Sequence, residues 1–355
     1  MKKKIALIIP FLGRSGAERV IFNLLNNLDR NKFELHLLLY KDIPENNSLL
    51  NSLSSDVIVN YLNIKGRVRT SLFSFVFKLR RYFKDEKIDS FLISDGVSNA
   101  ALSPFLFLLG KNVKKIARES NLPTFFEKNI LIKSLYKYCY RNYDVIVVQS
   151  NEMYEDLSEK FNIPKNRITK INNPLDISKI RSLSEQSIEY VFKDGTINLL
   201  TIGRLTYQKG FDLLINALAN FSENKYHLTI IGDGEENDSL RKLAEDRGLL
   251  NCISFIKSTD NPYAFMKKAD IFISSSRWEG YPNVVIEAIA CGTPVVSNNY
   301  PGGISEIINE RNGVICNIEN HELEKSIETA LMLTNVGFDE EINNNIMKKY
   351  ENIFY

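Results

Sequence analysis

Short, uniformly apolar runs alternate with stretches whose apolar residues recur at helical spacing, and this alternation persists along the chain. Lys4–Pro10, Phe33–Leu39, Val57–Leu62, Asp89–Ser94, Val113–Ala117, Asp144–Gln149 and Ile168–Ile171 read as strands in the first half. In the second half Ile197–Ile202, His227–Ile231, Ile253–Ile256, Ile271–Ser274 and Val295–Ser297 do so. Amphipathic segments between them, such as Phe211–Phe221 and Ser239–Arg247, predict crossover helices. Strands alternating with helices predict an α/β fold with doubly wound parallel sheets. Residues 174–195 are polar with no repeating apolar pattern, so a linker is expected there, between an N-terminal domain over 1–173 and a second domain over 196–338.

The most informative stretch is SSSRWEGYPNVVIEAIACGTPVVSN, Ser274–Asn298. A strand ends at Ser274, another runs through Val295–Ser297, and VVIEAIACG between them is a helix stopped by Gly292. Gly280, Pro282 and Asn283 lead into its start, which leaves backbone N–H groups of about Asn283 to Ile286 aimed at the strand ends, an anion-binding arrangement. Glu279 and Glu287 flank this site. Carboxylates beside a phosphate suit hydroxyl groups, which points to a ligand carrying both phosphate and sugar; the plainer reading leaves both in solvent.

Composition narrows the class. With 355 residues, 44% of them hydrophobic and 25% charged, the chain is an ordinary globular protein long enough for two domains. No eighteen-residue apolar span occurs, and KKKIALIIPFLG leads into a strand and glycine loop rather than reading as a secretory signal, so folding in the cytosol is expected. Cys139, Cys252, Cys291 and Cys316 form no CxxC pair, His36, His227 and His321 lack partners at metal-ligand spacing, and no Asp-x-Asp occurs; no bound metal is expected.

The net charge of +2 hides an asymmetry: residues 1–175 hold 28 Lys and Arg against 17 Asp and Glu, net +11, leaving −9 for 176–355. Lys65–Lys84 has seven basic residues and no acid, interleaved with Phe73, Phe75, Phe77, Tyr82 and Phe83. It suits a helix lying on an anionic membrane, or a packing helix with a solvated basic face. Lys133, Lys137 and Arg141 recur every four residues in a second such segment, Phe125–Tyr143. Nucleic acid is not expected as a partner, since no recognition motif accompanies the charge. At strand C-termini, where such sheets bind ligands, the polar candidates are Asp95, Asn99 and Glu119, with capping and turn roles as the alternative. Gly13 and Gly16, after the first strand, would let backbone approach a ligand.

SGAER at Ser15–Arg19, GRL…KG at Gly203–Gly210, GDG at Gly232–Gly234, NPY at Asn261–Tyr263 and the Glu279…Glu287 pair fall in one order along the chain. In this the sequence resembles the family 4 retaining glycosyltransferases of GT-B architecture, whose two Rossmann-like domains face each other across a cleft. The resemblance implies that Arg204 and Lys209 hold a nucleotide diphosphate in place of a metal, that Glu287 binds ribose, and that Glu279 contacts the donor sugar. The base would lie beside Phe255 and Ile256. The donor set would be Gly13, Gly16, Gly203, Arg204, Lys209, Gly232, Ile256, Glu279, Gly280, Tyr281, Pro282, Asn283, Val284 and Glu287; Arg204, Lys209, Glu279 and Asp95 would serve catalysis.

Two departures stand out: Lys257 replaces a glycine common in relatives, and Asp95 stands where many carry histidine. ARESN at Ala117–Asn121 looks like the segment of members acting on lipid-linked sugars, which would set Asp95, Asn99 and Glu119 at the acceptor. Residues 339–355 are expected to return to the N-terminal domain through Ile342, Ile346, Tyr350 and Phe354. The implied reaction is retaining, metal-independent transfer from a UDP-hexose or UDP-N-acetylhexosamine to a lipid-linked or surface glycan of capsule or O-antigen type, at the inner face of the plasma membrane. A UDP-sugar isomerase, or a catalytically silent partner subunit, would share the two-domain fold.

Overall fold

The computed structural model describes residues 2–66, 68–221, 225–320 and 322–355, and not the side chain of Arg69. Arg67, in the basic segment, and His321 therefore lie outside the described residues. The chain forms two compact units, Met1–Leu175 with Glu341–Tyr355, and Asp176–Glu340.

In the first unit the strands are β1 (Lys3–Ile9), β2 (Phe33–Leu39), β3 (Ile58–Tyr61), β4 (Ser90–Ile93), β5 (Lys114–Arg118), β6 (Val145–Val148) and β7 (Ile168–Lys170). They pair in parallel in the order β3-β2-β1-β4-β5-β6-β7. Successive residues of β1 serve opposite faces: Ala6 and Ile8 join one buried cluster, Ile5, Leu7 and Ile9 another. That two-sided burial explains why these strands read as continuous apolar runs. The helix Glu340–Ile353 completes the second of these clusters with Ile346, Tyr350 and Ile353, followed by Phe354. Ile342, expected to pack with them, is 49% exposed, because the buried stripe begins one turn later.

The second unit comprises β8 (Ile197–Ile202), β9 (Tyr226–Ile231), β10 (Ile253–Ile256), β11 (Ile271–Ser274), β12 (Val295–Asn298) and β13 (Gly313–Cys316), in the order β10-β9-β8-β11-β12-β13. All its strand pairs are parallel. In each unit the order reverses direction beside the first strand, which is where open α/β sheets bind ligands.

The expected linker over 174–195 differs from what is found. Asp176 caps a helix over Ile177–Ser184 by accepting from the Lys179 N–H at 3.0 Å, and that helix packs on the helix Pro262–Lys268. Asn261 donates to Leu183 O at 2.7 Å, and the rings of Tyr190 and Phe192 pack tilted and edge-on against Phe265. Apolar residues spanning two helical turns and two aromatics are too few to show a period, yet the segment belongs to the second unit.

Candidate active site

The loops after β8, β9 and β11 meet at the switch point of the second sheet, and glycines make their approach possible. A Cβ on Gly232 would fall 1.8 Å from Gly203 O, and one on Gly210, itself at φ +61°, would fall 2.2 Å from Ser275 O. No larger residue fits either contact without moving backbone.

Lys209 and Glu279 come together within this junction. Lys209 Nζ lies 2.5 Å from Glu279 Oε1, which also accepts from Ser276 Oγ at 2.9 Å. The Glu279 backbone is fixed from the other side: its N–H donates to Pro301 O at 3.0 Å, Gly303 N–H donates to Gly280 O at 3.1 Å, and a Cβ on Gly302 would sit 1.9 Å from Glu279 O. Arg204, in the same junction, is exposed and makes no ion pair among the described residues. An exposed guanidinium thus shares the loop after β8 with a lysine already held by a carboxylate.

The helix Asn283–Ala290 starts after Pro282 with no side-chain cap, and Glu287 is buried one turn inside it. Tyr281, Asn283 and Val284 are half-buried around that helix start, and Gly280 and Pro282 are buried. At the end of β10, Ile256 O accepts from Gly232 N–H at 2.9 Å, and the Arg241 guanidinium lies 4.6 Å from the Phe255 ring centre. Lys257 pairs at 3.5 Å with Asp233 across exposed surface.

The candidates of the first unit divide. Gly13 is buried against Asn46 O and the Glu18 carboxylate, while Gly16 opens the helix Gly16–Asn27, whose start is boxed by Ser15 and Glu18. Asp95 is half-buried and receives the Ser98 hydroxyl; burial raises its pKa and that bond partly opposes the rise. Asn99 and Glu119, expected either at the acceptor or in capping and turn roles, are buried and brace the interior of the unit. Asn99 donates to Ile93 O and Arg118 O at 3.1 and 3.2 Å. Glu119 is 3% exposed and accepts from the Tyr136 and Tyr140 hydroxyls. Burial pushes its carboxyl up to about 8, against the Tyr136 bond that favours the charged form. Next to it Arg118 is fully buried and bonded to Ser94, Asn173 and Tyr350.

Sequence reasoning missed Gln208, Ser276, Arg277 and Gly302. Pro301-Gly302-Gly303 was a legible turn signal, whereas Gln208 and Ser276 gain their meaning only when two distant loops meet.

Comparison with known proteins gives this geometry its class. The Anabaena protein HepE, solved with UDP and glucose, superposes with a TM-score of 0.74 at 18% identity, covering 99% of this chain and 100% of that one, which shows the two-domain GT-B fold. Residues 14–179 match the family signature Glycosyltransferase Family 4 and residues 184–349 match Glycosyl transferases group 1. The chain belongs to this glycosyltransferase family. An uncharacterised glycosyltransferase of Methanocaldococcus jannaschii is 32% identical over 248 residues, 65% of this chain and 61% of that protein. The N-acetylgalactosamine-N,N'-diacetylbacillosaminyl-diphospho-undecaprenol 4-alpha-N-acetylgalactosaminyltransferase of Campylobacter jejuni is 28% identical over 336 residues, 90% of this chain and 87% of its own length.

Proposed function

We propose that the protein transfers a hexose or N-acetylhexosamine from its UDP diphosphate, with retention and without a metal, to a hydroxyl of a lipid-linked or surface glycan in capsule- or O-antigen-type synthesis. The observation that carries this reading is that Lys209, in the loop after β8 with Arg204, pairs with Glu279, and that Glu279 leads into the helix Asn283–Ala290, which starts without a side-chain cap and carries Glu287. Arg204, Lys209 and the N–H groups of the helix start stabilise the charge that grows on the leaving diphosphate. The carboxylates accept hydrogen bonds from sugar and ribose hydroxyls. In a same-face transfer the leaving phosphate oxygen takes the acceptor proton, so no side-chain nucleophile is needed. The Campylobacter relative's diphospho-undecaprenol substrate supports a lipid-linked acceptor.

The experiment is a screen of UDP-, GDP- and ADP-sugars for donor hydrolysis and transfer, repeated with a chelator. One sugar nucleotide turning over with chelator present is expected. Turnover only with added divalent cation would reject the metal-independent part, and turnover of no donor would reject the whole.

The acceptor reading extends to an anionic membrane surface. On the helix Leu72–Glu86, Phe75, Val76, Leu79 and Phe83 are buried while Phe73, Phe77, Arg80, Arg81 and Lys84 are exposed. Phe125, Phe126, Ile130, Leu131 and Lys137 are exposed in the second segment. No helix among the described residues is long and apolar enough to cross a membrane. Lys78 is occupied, donating to Leu62 O and Asn63 O at 2.6 and 2.9 Å, whereas Arg80, Lys84 and Arg81, the last in a surface ion pair with Asp85 at 3.5 Å, are exposed and are the residues to reverse.

A further inference from the structure

The turn that carries Lys209 is a single 3-10 turn, Tyr207–Lys209, closed by Lys209 N–H to Thr206 O at 2.9 Å and Gly210 N–H to Tyr207 O at 3.3 Å. Its three successive carbonyls are also met by the loop after β11: Tyr207 O accepts from Arg277 Nη1 at 2.8 Å, Gln208 O from the Arg277 backbone N–H at 2.7 Å, and Lys209 O from Ser275 Oγ at 2.9 Å. Arg277 does more than donate to one carbonyl. Its guanidinium grips Asp212 with both Nη atoms, at 2.8 and 2.7 Å, and its central carbon lies 3.9 Å from the Tyr207 ring centre. Asp212 is in the first turn of the helix Phe211–Leu218, the helix that this turn feeds. Return contact comes from Gln208 Nε2, which donates to Trp278 O at 2.9 Å.

Planarity matters here. A fork that accepts a carboxylate on one edge, a carbonyl beside it and an aromatic face below is within reach of guanidinium and beyond an ammonium. Lys209 follows Tyr207 by two residues and Glu279 follows Arg277 by two, so fixing the one pair of residues sets the spacing of the other.

We infer that Arg277, anchored on Asp212, is a positioning residue: it locks the Tyr207–Lys209 turn against the Glu279 loop and so pre-organises Lys209 for the donor diphosphate. The inference rests on the proposed donor site for its function, while the lock itself is a statement about the protein alone.

Two measurements on the full chain separate these levels. Hydrogen exchange of the peptide covering 203–212, without nucleotide, is compared in wild type, Arg277→Lys and the isosteric Asp212→Asn. Faster exchange there, with β8 and β11 unchanged, is expected; unchanged exchange in both variants overturns the lock. UDP affinity is then read by calorimetry. Arg277→Lys should weaken UDP about tenfold in the wild-type background and cause no further loss in a Lys209→Met background, because it acts through that lysine. An undiminished tenfold loss in that background, or wild-type affinity for Arg277→Lys, overturns the positioning role. If the wild-type chain binds none of UDP, GDP or ADP, the donor-site reading fails, and the exchange experiment still decides the lock.

Discussion

Arg204 and Lys209 differ in how they are held, and that difference sorts their mutants. Arg204 is exposed and unpaired among the described residues, so Arg204→Ala should leave stability within about 0.5 kcal/mol. The same change should cost about 3 kcal/mol of transition-state stabilisation, roughly a hundredfold in kcat. Near-wild-type turnover would remove it from the reaction. Lys209 shares its charge with Glu279, which is 8% exposed, so Lys209→Met also strands a carboxylate and should lower melting temperature as well as activity. Chemical denaturation alongside kinetics distinguishes the two. Gly302 has φ +129° and would press a Cβ onto Glu279 O, so Gly302→Ala should reduce activity without touching ligand.

Glu119 sets a pH dependence of the opposite sign from a salt-bridged acid. Its carboxyl is raised from 4.5 to about 8 in the folded state, so between those values the folded protein keeps a proton that the unfolded chain releases. The stability it contributes is complete below pH 4.5 and declines as pH rises through the window, by at most about 1.4 kcal/mol per pH unit. Asp95, also raised, adds in the same direction. Stability, measured by denaturation between pH 5 and 8, should therefore fall more steeply for wild type than for Glu119→Gln, and parallel curves would contradict the assignment.

At the scale of elements, the C-terminal helix is part of the first unit's core. Tyr350 is fully buried and its hydroxyl is 3.3 Å from Arg118 Nε. Tyr350→Phe removes a bond to a buried cation and should cost about 1.5–3 kcal/mol, measured by urea unfolding. Elements were where the sequence was most legible. Strands such as Phe33–Leu39 and Ile253–Ile256 announce themselves because both faces are buried, and the helix at Asn283 is bracketed by Pro282 and Gly292. The helix Ile177–Ser184 was illegible because its apolar face, Ile177, Ile180 and Leu183, spans only two turns. The burial of Asn99 and Glu119 was illegible for a related reason: a polar residue at a strand end looks alike whether it meets solvent or, as Glu119 does, the hydroxyls of Tyr136 and Tyr140. The Lys209–Glu279 pair spans seventy residues, and no local pattern encodes it.

For the whole molecule, charge is divided along the chain, with the excess of 11 positive charges on residues 1–175. Exposed phenylalanines lie in the same unit, the composition that the proposed anionic lipid surface would meet. Binding to vesicles containing anionic lipid should weaken as salt rises and weaken further in an Arg80→Glu, Arg81→Glu variant. Cosedimentation that ignores lipid charge would contradict it.

The loops after β8 and β11 of the second unit are proposed to bind a nucleoside diphosphate for sugar transfer. Thermal unfolding with a panel of UDP, GDP and ADP sugars addresses it most directly, since a ligand at about one hundred times its Kd adds about 2.7 kcal/mol of stability. One nucleotide family should raise the melting temperature of the wild type, and Arg204→Ala with Lys209→Met should abolish the rise. No shift with any nucleotide, or an equal shift in the double variant, would contradict the account.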